Sequence, residues 1–280
     1  MTLTTDTARS TTGTSPSTTP PRGRLVDSRL FLQVCGILGV LATLELLTRV
    51  DVVPNAWFPP VSEIWATFLQ GLVTSSFWGD LGNTMLGWTI GLGLATVLAV
   101  PAGMLLGSNE VLAAAFKAII EFLRPIPSVA LIPLAVLLWG IDLQTKIFLV
   151  TFASFWPILF QALYGVQSVE PQQLQVVKAY RLGRWATFRH VVVPSTAPFV
   201  ATGLRISSSI ALALSITAEI VVGAPGLGRS IMIAQSSSAT TDMYALILAT
   251  GLLGWALNSL FLRIEKAALH WHPSYREGTK

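Results

Sequence analysis

Several residue groups in this sequence have types and spacings that could do chemistry. Gly223-Ala-Pro-Gly-Leu-Gly228-Arg229-Ser230 has the spacing of a phosphate-binding loop, with arginine where the lysine belongs. Such a loop needs a strand before it, a helix after it and lysine on the phosphates. Here an apolar stretch precedes it, so the segment reads as a Gly/Pro turn. His270-Trp-His272 could touch a metal, but no third ligand lies nearby and His190 stands apart, so no metal site is expected. There is no H-E-x-x-H, no G-x-S-x-G and no pair of aspartates within one apolar stretch, and no catalytic residues are expected. The single cysteine, Cys35, excludes an internal disulfide and reads as a small buried hydrophobe.

What remains are polar groups inside apolar stretches, and these are functional candidates by default. Glu219 and Arg205 fall in one stretch, about 21 Å apart along a helix axis, so each needs a partner elsewhere. Arg205 reads as a structural cation at an interface. Glu219 reads as a gate or as a structural hydrogen bond to a neighbouring helix, because an ionised glutamate repels an anionic ligand. Ser207, Ser208, Ser209, Ser215 and Thr217 lie on the same helix and serve packing or line a polar path. Ser208, Ser215, Thr217 and Glu219 are the candidates for such a path. Gly87, Gly91, Gly93 and Gly103 are expected to permit close helix contact.

The elements that must position these groups follow from composition. Of 280 residues, 52% are apolar and 11% charged, against roughly 25% charged in soluble domains, and mean hydropathy is +0.64. This excludes a disordered chain, a basic nucleic-acid-binding domain and most soluble enzymes. An all-α polytopic membrane protein is the class left. Apolar stretches predict six spans at about 30–48, 83–107, 111–140, 147–166, 197–222 and 243–262. The third is kinked by Pro125, Pro127 and Pro133, which neighbouring helices can tolerate. Residues 1–24, rich in Thr, Ser and Pro, read as a disordered tail, 25–266 as the membrane domain and 267–280 as a second tail. No cleavage site follows the first apolar run, so it reads as an uncleaved helix.

The net charge of +4 is informative through its placement. With both termini inside, Arg9, Arg22, Arg24, Arg29, Lys117, Lys178, Arg181, Arg184, Arg189, Arg263, Lys266, Arg276 and Lys280 are cytoplasmic. Arg49, Lys146 and Arg229 alone fall in outer loops, as the positive-inside rule requires. Trp57, Trp65, Trp78 and Trp139 then gather at the outer interface.

One internal loop, 167–196, is too polar to span and too patterned for a linker. Ser168 can cap a helix there, Pro171 suits its first turn and Gly183 can end or bend it. Arg184–Val191 can form a second short helix before Pro194. The hairpin would display Tyr180, Trp185 and Phe188 among cations, either as a docking surface or as an amphipathic helix on anionic lipid.

This loop and the two spans after it resemble the permease subunits of binding-protein-dependent ABC importers. Arg184-Trp185, Phe188-Arg189, Val191-Val192-Val193-Pro194, Pro198 and Gly203-Leu204-Arg205 match the second half of that family's cytoplasmic signature. Ala218-Glu219-Ile220 and Gly226-Leu227-Gly228 match the segment beyond it. Leu123-Arg124-Pro125-Ile126-Pro127, Ile132-Pro133-Leu134, Leu138-Trp139-Gly140 and the tail Trp271-His272-Pro273-Ser274-Tyr275 resemble the nitrate/sulfonate/taurine branch. The first half of the signature departs from the family: Gln175 stands for Glu, Val176 and Val177 for Ala, and Arg181 for Gly, with Gly183 two residues late.

The resemblance implies a type I ABC importer permease fold of about six helices in the bacterial inner membrane. The loop would be its coupling helix, with Lys178, Tyr180, Arg181, Gly183, Arg184, Trp185, Phe188 and Arg189 docking a separate ATPase. Implied partners are two ATPase subunits, an extracytoplasmic substrate-binding protein and a second permease subunit in a homodimer or a heterodimer, all in a lipid bilayer and without nucleic acid. The chain itself would hold no cofactor, ATP and Mg belonging to the ATPase. Nitrate, taurine or aliphatic sulfonates are the implied substrates, with pyrimidine precursors, riboflavin or aromatic acids as the alternative. The rival class is a stand-alone secondary carrier, which needs inverted repeats and ion-coupling carboxylates. Only Glu219 and Glu121 approach that role, and the two halves show no repeat.

Overall fold

The computed structural model describes the backbone of residues 22–269 and the side chains from residue 31 onward, that of Leu174 excepted. Most of the tail 1–24, His270, His272 and the Trp271–Tyr275 motif lie outside the described residues. Within them the chain is helical throughout: α1 (Arg22–Arg49), α2 (Val61–Gly71), α3 (Ser75–Ser108), α4 (Glu110–Leu123), α5 (Ile132–Trp139), α6 (Leu143–Gln167), α7 (Pro171–Ala179), α8 (Arg184–Thr187), α9 (Val193–Val222), α10 (Leu227–Ser236) and α11 (Thr240–Ala268). Five segments are long and apolar enough to cross a membrane: Phe31–Arg49, α3, α6, the continuous run Arg184–Val222, and α11. Glu110–Leu123 and Ser128–Trp139, bent by 79°, make a sixth if counted as one span.

Helix ends differ from the apolar boundaries for physical reasons. α3 begins at Ser75, ahead of the apolar start at Asn83, and its 34 residues run about 51 Å against a hydrocarbon core of about 30 Å. Hydropathy marks where lipid lies; the helix continues until a breaker or cap stops it. Asn109 then accepts from the Val111 and Leu112 amides and starts α4. Pro133 sits in the first turn of α5, where a missing N–H costs nothing, so it starts a helix where a kink was expected.

α3, α6 and α9 form the core, with Trp88, Leu92 and Ala95 of α3 packed on Val150 and Ile158 of α6 and Ala211 of α9. The α3–α6 crossing brings backbones together. A Cβ on Gly103 would stand 2.5 Å from the Leu159 carbonyl, and one on Gly107 would stand 2.8 Å from that of Leu163. Gly87 and Gly91 press on Lys146 and Val150, whereas Gly93 meets nothing and does not serve the contact it was expected to make. Between α9 and α6 the Ser207 hydroxyl donates to the Ser154 carbonyl at 2.9 Å, and between α3 and α9 the Trp88 indole donates to the Ser208 carbonyl at 3.0 Å. Cys35 is exposed, not buried as expected, because α1 packs on little of the chain besides α2.

Candidate functional site

Two polar regions lie at opposite ends of the bundle. At one end α6 passes into the segment 168–192. Ser168 does not begin the next helix: it closes α6, donating its hydroxyl to the Gly165 carbonyl at 2.8 Å. Glu170 precedes α7 and Pro171 occupies its first turn. α7 ends in a Schellman closure, in which the Leu182 amide donates to the Val177 carbonyl and the Arg181 amide to that of Lys178, both at 3.1 Å. The closure requires a left-handed residue, and Arg181 supplies it at φ 51°. Gly183, expected to end or bend this helix, has ordinary extended backbone and precedes α8.

α8 does not stop before Pro194. It passes through a π-turn, Phe188–Val192, directly into α9, so the helix widens just ahead of a proline that has no N–H to donate. On this segment Tyr180 is 76% and Trp185 71% exposed, and Phe188, half-buried, stacks on Trp185 with ring centroids 5.8 Å apart. Lys178, Arg181, Arg184 and Arg189 are exposed around them. Tyr180, Trp185 and four cations thus project from the bundle on α7, its closing turn and the first turns of the helix that continues into α9. Chemically, such a surface can bury rings and pair with carboxylates of another protein.

At the other end, α9 stops at Gly223, which is left-handed at φ 77°, and the chain turns through Gly226 into α10. No strand precedes this turn, and the phosphate-loop spacing carries no phosphate-loop geometry. Glu219 is fully buried against it. One carboxylate oxygen accepts from Lys146 Nζ at 2.8 Å; the other accepts from the Gly228 amide at 2.9 Å and the Thr84 hydroxyl at 3.0 Å. Thr84 accepts in turn from the Leu227 amide at 3.0 Å. α10 therefore has its first amides capped from α9 and α3, where a negative group also complements the helix dipole. Lys146 Nζ spends its other two donors on the carbonyls of Asn83 and Pro225, at 2.9 and 3.1 Å.

Lys146 is thus not in a loop, as the charge pattern suggested. Its helix starts four residues earlier, at the Asp142 cap, which puts it one turn inside the bundle. Sequence reading missed it, along with Thr84 and the role of Gly226. The available signal was a lone lysine one turn after an aspartate cap, matching a lone glutamate in another span. Arg205, the other charge in that stretch, finds its partner in Glu265 of α11 at 3.7 Å.

The path candidates divide. Ser208, Ser215 and Glu219 are buried within this chain, while Thr217 is half-buried on another face of α9 and bonds back to the Ala213 carbonyl. Glu121, the other carboxylate a carrier would need, is exposed and 3.9 Å from Lys117 one turn away. Among the described residues, no group of three or more His, Cys, Asp or Glu could hold a metal.

A family model described as "Binding-protein-dependent transport system inner membrane component" matches residues 99–268. The chain belongs to this family. It is the permease of an ABC importer, a multi-pass inner-membrane protein, and its branch is seen in its relatives. The taurine transport system permease protein TauC of Escherichia coli (strain K12) is 26% identical over 251 residues, 88% of this chain and 91% of that protein. The bicarbonate transport system permease protein CmpB of Synechocystis sp. is 29% identical over 249 residues, covering 83% and 86%. The nitrate import permease protein NrtB of Leptolyngbya laminosa is 26% identical over 234 residues, covering 82% of each. In fold, the permease is similar to a chain in the native crystal form of the MetNI methionine ABC transporter, with TM-score 0.61 at 20% identity, over 68% of this chain and 95% of that one.

Proposed function

We propose that this permease forms the membrane path for a small oxyanion, of the nitrate, taurine or aliphatic sulfonate type, and couples it to separate ATPase subunits. The observation that carries the coupling assignment is the Trp185–Phe188 stack among cations, which leaves the Trp185 ring and the four cations uncovered by the described residues. Tyr180, Trp185 and Phe188 enter a groove on the ATPase, and Lys178, Arg181, Arg184 and Arg189 pair with acids around it; Gly183 leads from the turn into α8. ATP and Mg2+ act on the ATPase, and this chain contributes no catalytic group. A binding protein delivers substrate to the α10 end, and a second permease subunit completes the path. Both termini lie in the cytoplasm, since the exposed cations gather at the α7 end. Of the path candidates, Thr217 is the one with an open face, while Ser208, Ser215 and Glu219 are buried within this chain and Glu219 ties α9 to α3, α6 and α10.

Support for the substrate class comes from relatives named for taurine, bicarbonate, nitrate and aliphatic sulfonates, all small molecules with an anionic oxygen group. Two measurements test the reading. Trp185→Ala with Phe188→Ala abolishes uptake while the protein remains inserted in the membrane; normal uptake by that variant would remove the coupling assignment. A thermal-shift screen of the binding protein encoded beside this chain finds stabilisation by an oxyanion or sulfonate. Failure of every such ligand would remove the substrate class.

A further inference from the structure

α4 buries none of its residues against the rest of the chain, yet it does not hang free. Between it and the α7-end halves of α3 and α6 runs a cleft of about 430 Å³, walled by Leu106, Ile120 and Leu163. The apolar walls carry cations on one side. Lys117 and Arg124, seven residues apart on one face of α4, both line the cleft, with the Tyr164 ring opposite. Arg124 sits 4.6 Å above the centre of the Phe160 ring, and among the described residues it has no carboxylate partner. Lys117 has only Glu121, 3.9 Å away with both side chains exposed, a pairing worth little in water. On α4's other face Phe116, Ile119 and Phe122 are exposed, as suits a helix in contact with lipid.

We propose that this cleft binds one anionic phospholipid. Its acyl chains lie on Leu106, Ile120 and Leu163, and its phosphate sits between Lys117 and Arg124. The argument is charge complementarity in an apolar setting: a cleft of this size, with a net positive rim at a membrane–water boundary, suits a molecule that is apolar below and anionic at its head. A free anion would use the rim and leave the walls unsolvated. The proposal goes beyond transport and does not depend on what the permease carries.

The test uses the purified full-length chain and counts retained lipid by native mass spectrometry, with phosphatidylglycerol and phosphatidylcholine as probes. The wild type retains phosphatidylglycerol preferentially. At about 1 kcal/mol per cation, Lys117→Gln with Arg124→Gln lowers that preference by roughly ten- to thirtyfold. Glu121→Gln raises it. These three residues are exposed, so the variants fold. In a Cys35→Ser background, maleimide labelling of Ala114→Cys falls when phosphatidylglycerol is added. Equal retention of the two lipids, an unchanged preference in the double variant, or displacement by inorganic phosphate would overturn the proposal. So would protection of Ala114→Cys in lipid-stripped oligomers, which would give the cleft to a second copy.

Discussion

Lys146 on α6 and Glu219 on α9 are ion-paired at 2.8 Å with 2% and 0% of their side chains exposed, and the pair ties four helices together. Both charges are fully spoken for: the ammonium has three acceptors, and both carboxylate oxygens have donors. In an apolar interior such a pair gains little over a hydrophobic replacement, but breaking it is costly. What it provides here is position: it joins α10 and the turn before it to α3, α6 and α9, beside the apolar packing of Leu227 and Ile231.

Removing one partner should therefore be worse than removing both. Lys146→Met leaves a buried carboxylate and is expected to cost about 3–5 kcal/mol. Lys146→Met with Glu219→Gln keeps an acceptor for Gly228 and Thr84 without a stranded charge, and should recover much of the loss. Thermal unfolding of the purified variants checks this, and additive losses would mean the pair is not coupled.

Gly226 is fixed by the same carboxylate. Its φ is 152°, and a Cβ there would run into the Glu219 carboxyl group. Gly223 is also at positive φ but faces open space. Gly223→Ala should cost about 1 kcal/mol, from backbone strain alone. Gly226→Ala should cost more and should expose α10 amides to hydrogen exchange, which Gly223→Ala should not.

Arg181 shows how geometry can persist where a motif does not. It stands where the family signature has glycine and takes the left-handed conformation that glycine takes easily. Arg181→Gly is expected to stabilise the α7 closure by about 1 kcal/mol, less the glycine entropy cost in the unfolded chain. Slower exchange of the Arg181→Gly variant's position-181 and Leu182 amides would register this. If uptake falls at the same time, the arginine side chain itself serves the contact with the ATPase.

Much of the architecture was legible because its causes are local. Apolar runs mark the helices long enough to cross lipid, and the polar, aromatic-bearing 167–183 stretch marks the short helix and turn between two of them. Gly183, which by composition can end or bend the helix, does neither; the closure of α7 falls two residues earlier, on Arg181. The Lys146–Glu219–Thr84 knot was not legible, since it joins residues up to 135 positions apart, and a lysine just ahead of an apolar stretch looks like a loop charge. Gly93 and Gly103 are equivalent in sequence; only the rotation of α3 against α6 separates them.

That separation yields the most direct check on the packing of α3. Gly103 lies where a Cβ would meet the Leu159 carbonyl and the Ala162 side chain at 2.5 and 2.7 Å, and neither can retreat, because each belongs to the facing helix. Gly103→Leu must push α6 away and is expected to cost about 1–3 kcal/mol or more, the usual range for overpacking. Gly93 meets nothing within 4 Å, so Gly93→Leu places an apolar side chain on an open face and should leave stability unchanged or slightly raised through helix propensity. Unfolding midpoints of the two variants in the same detergent should therefore move apart, and equal losses at both positions would mean that α3 is rotated from the orientation described.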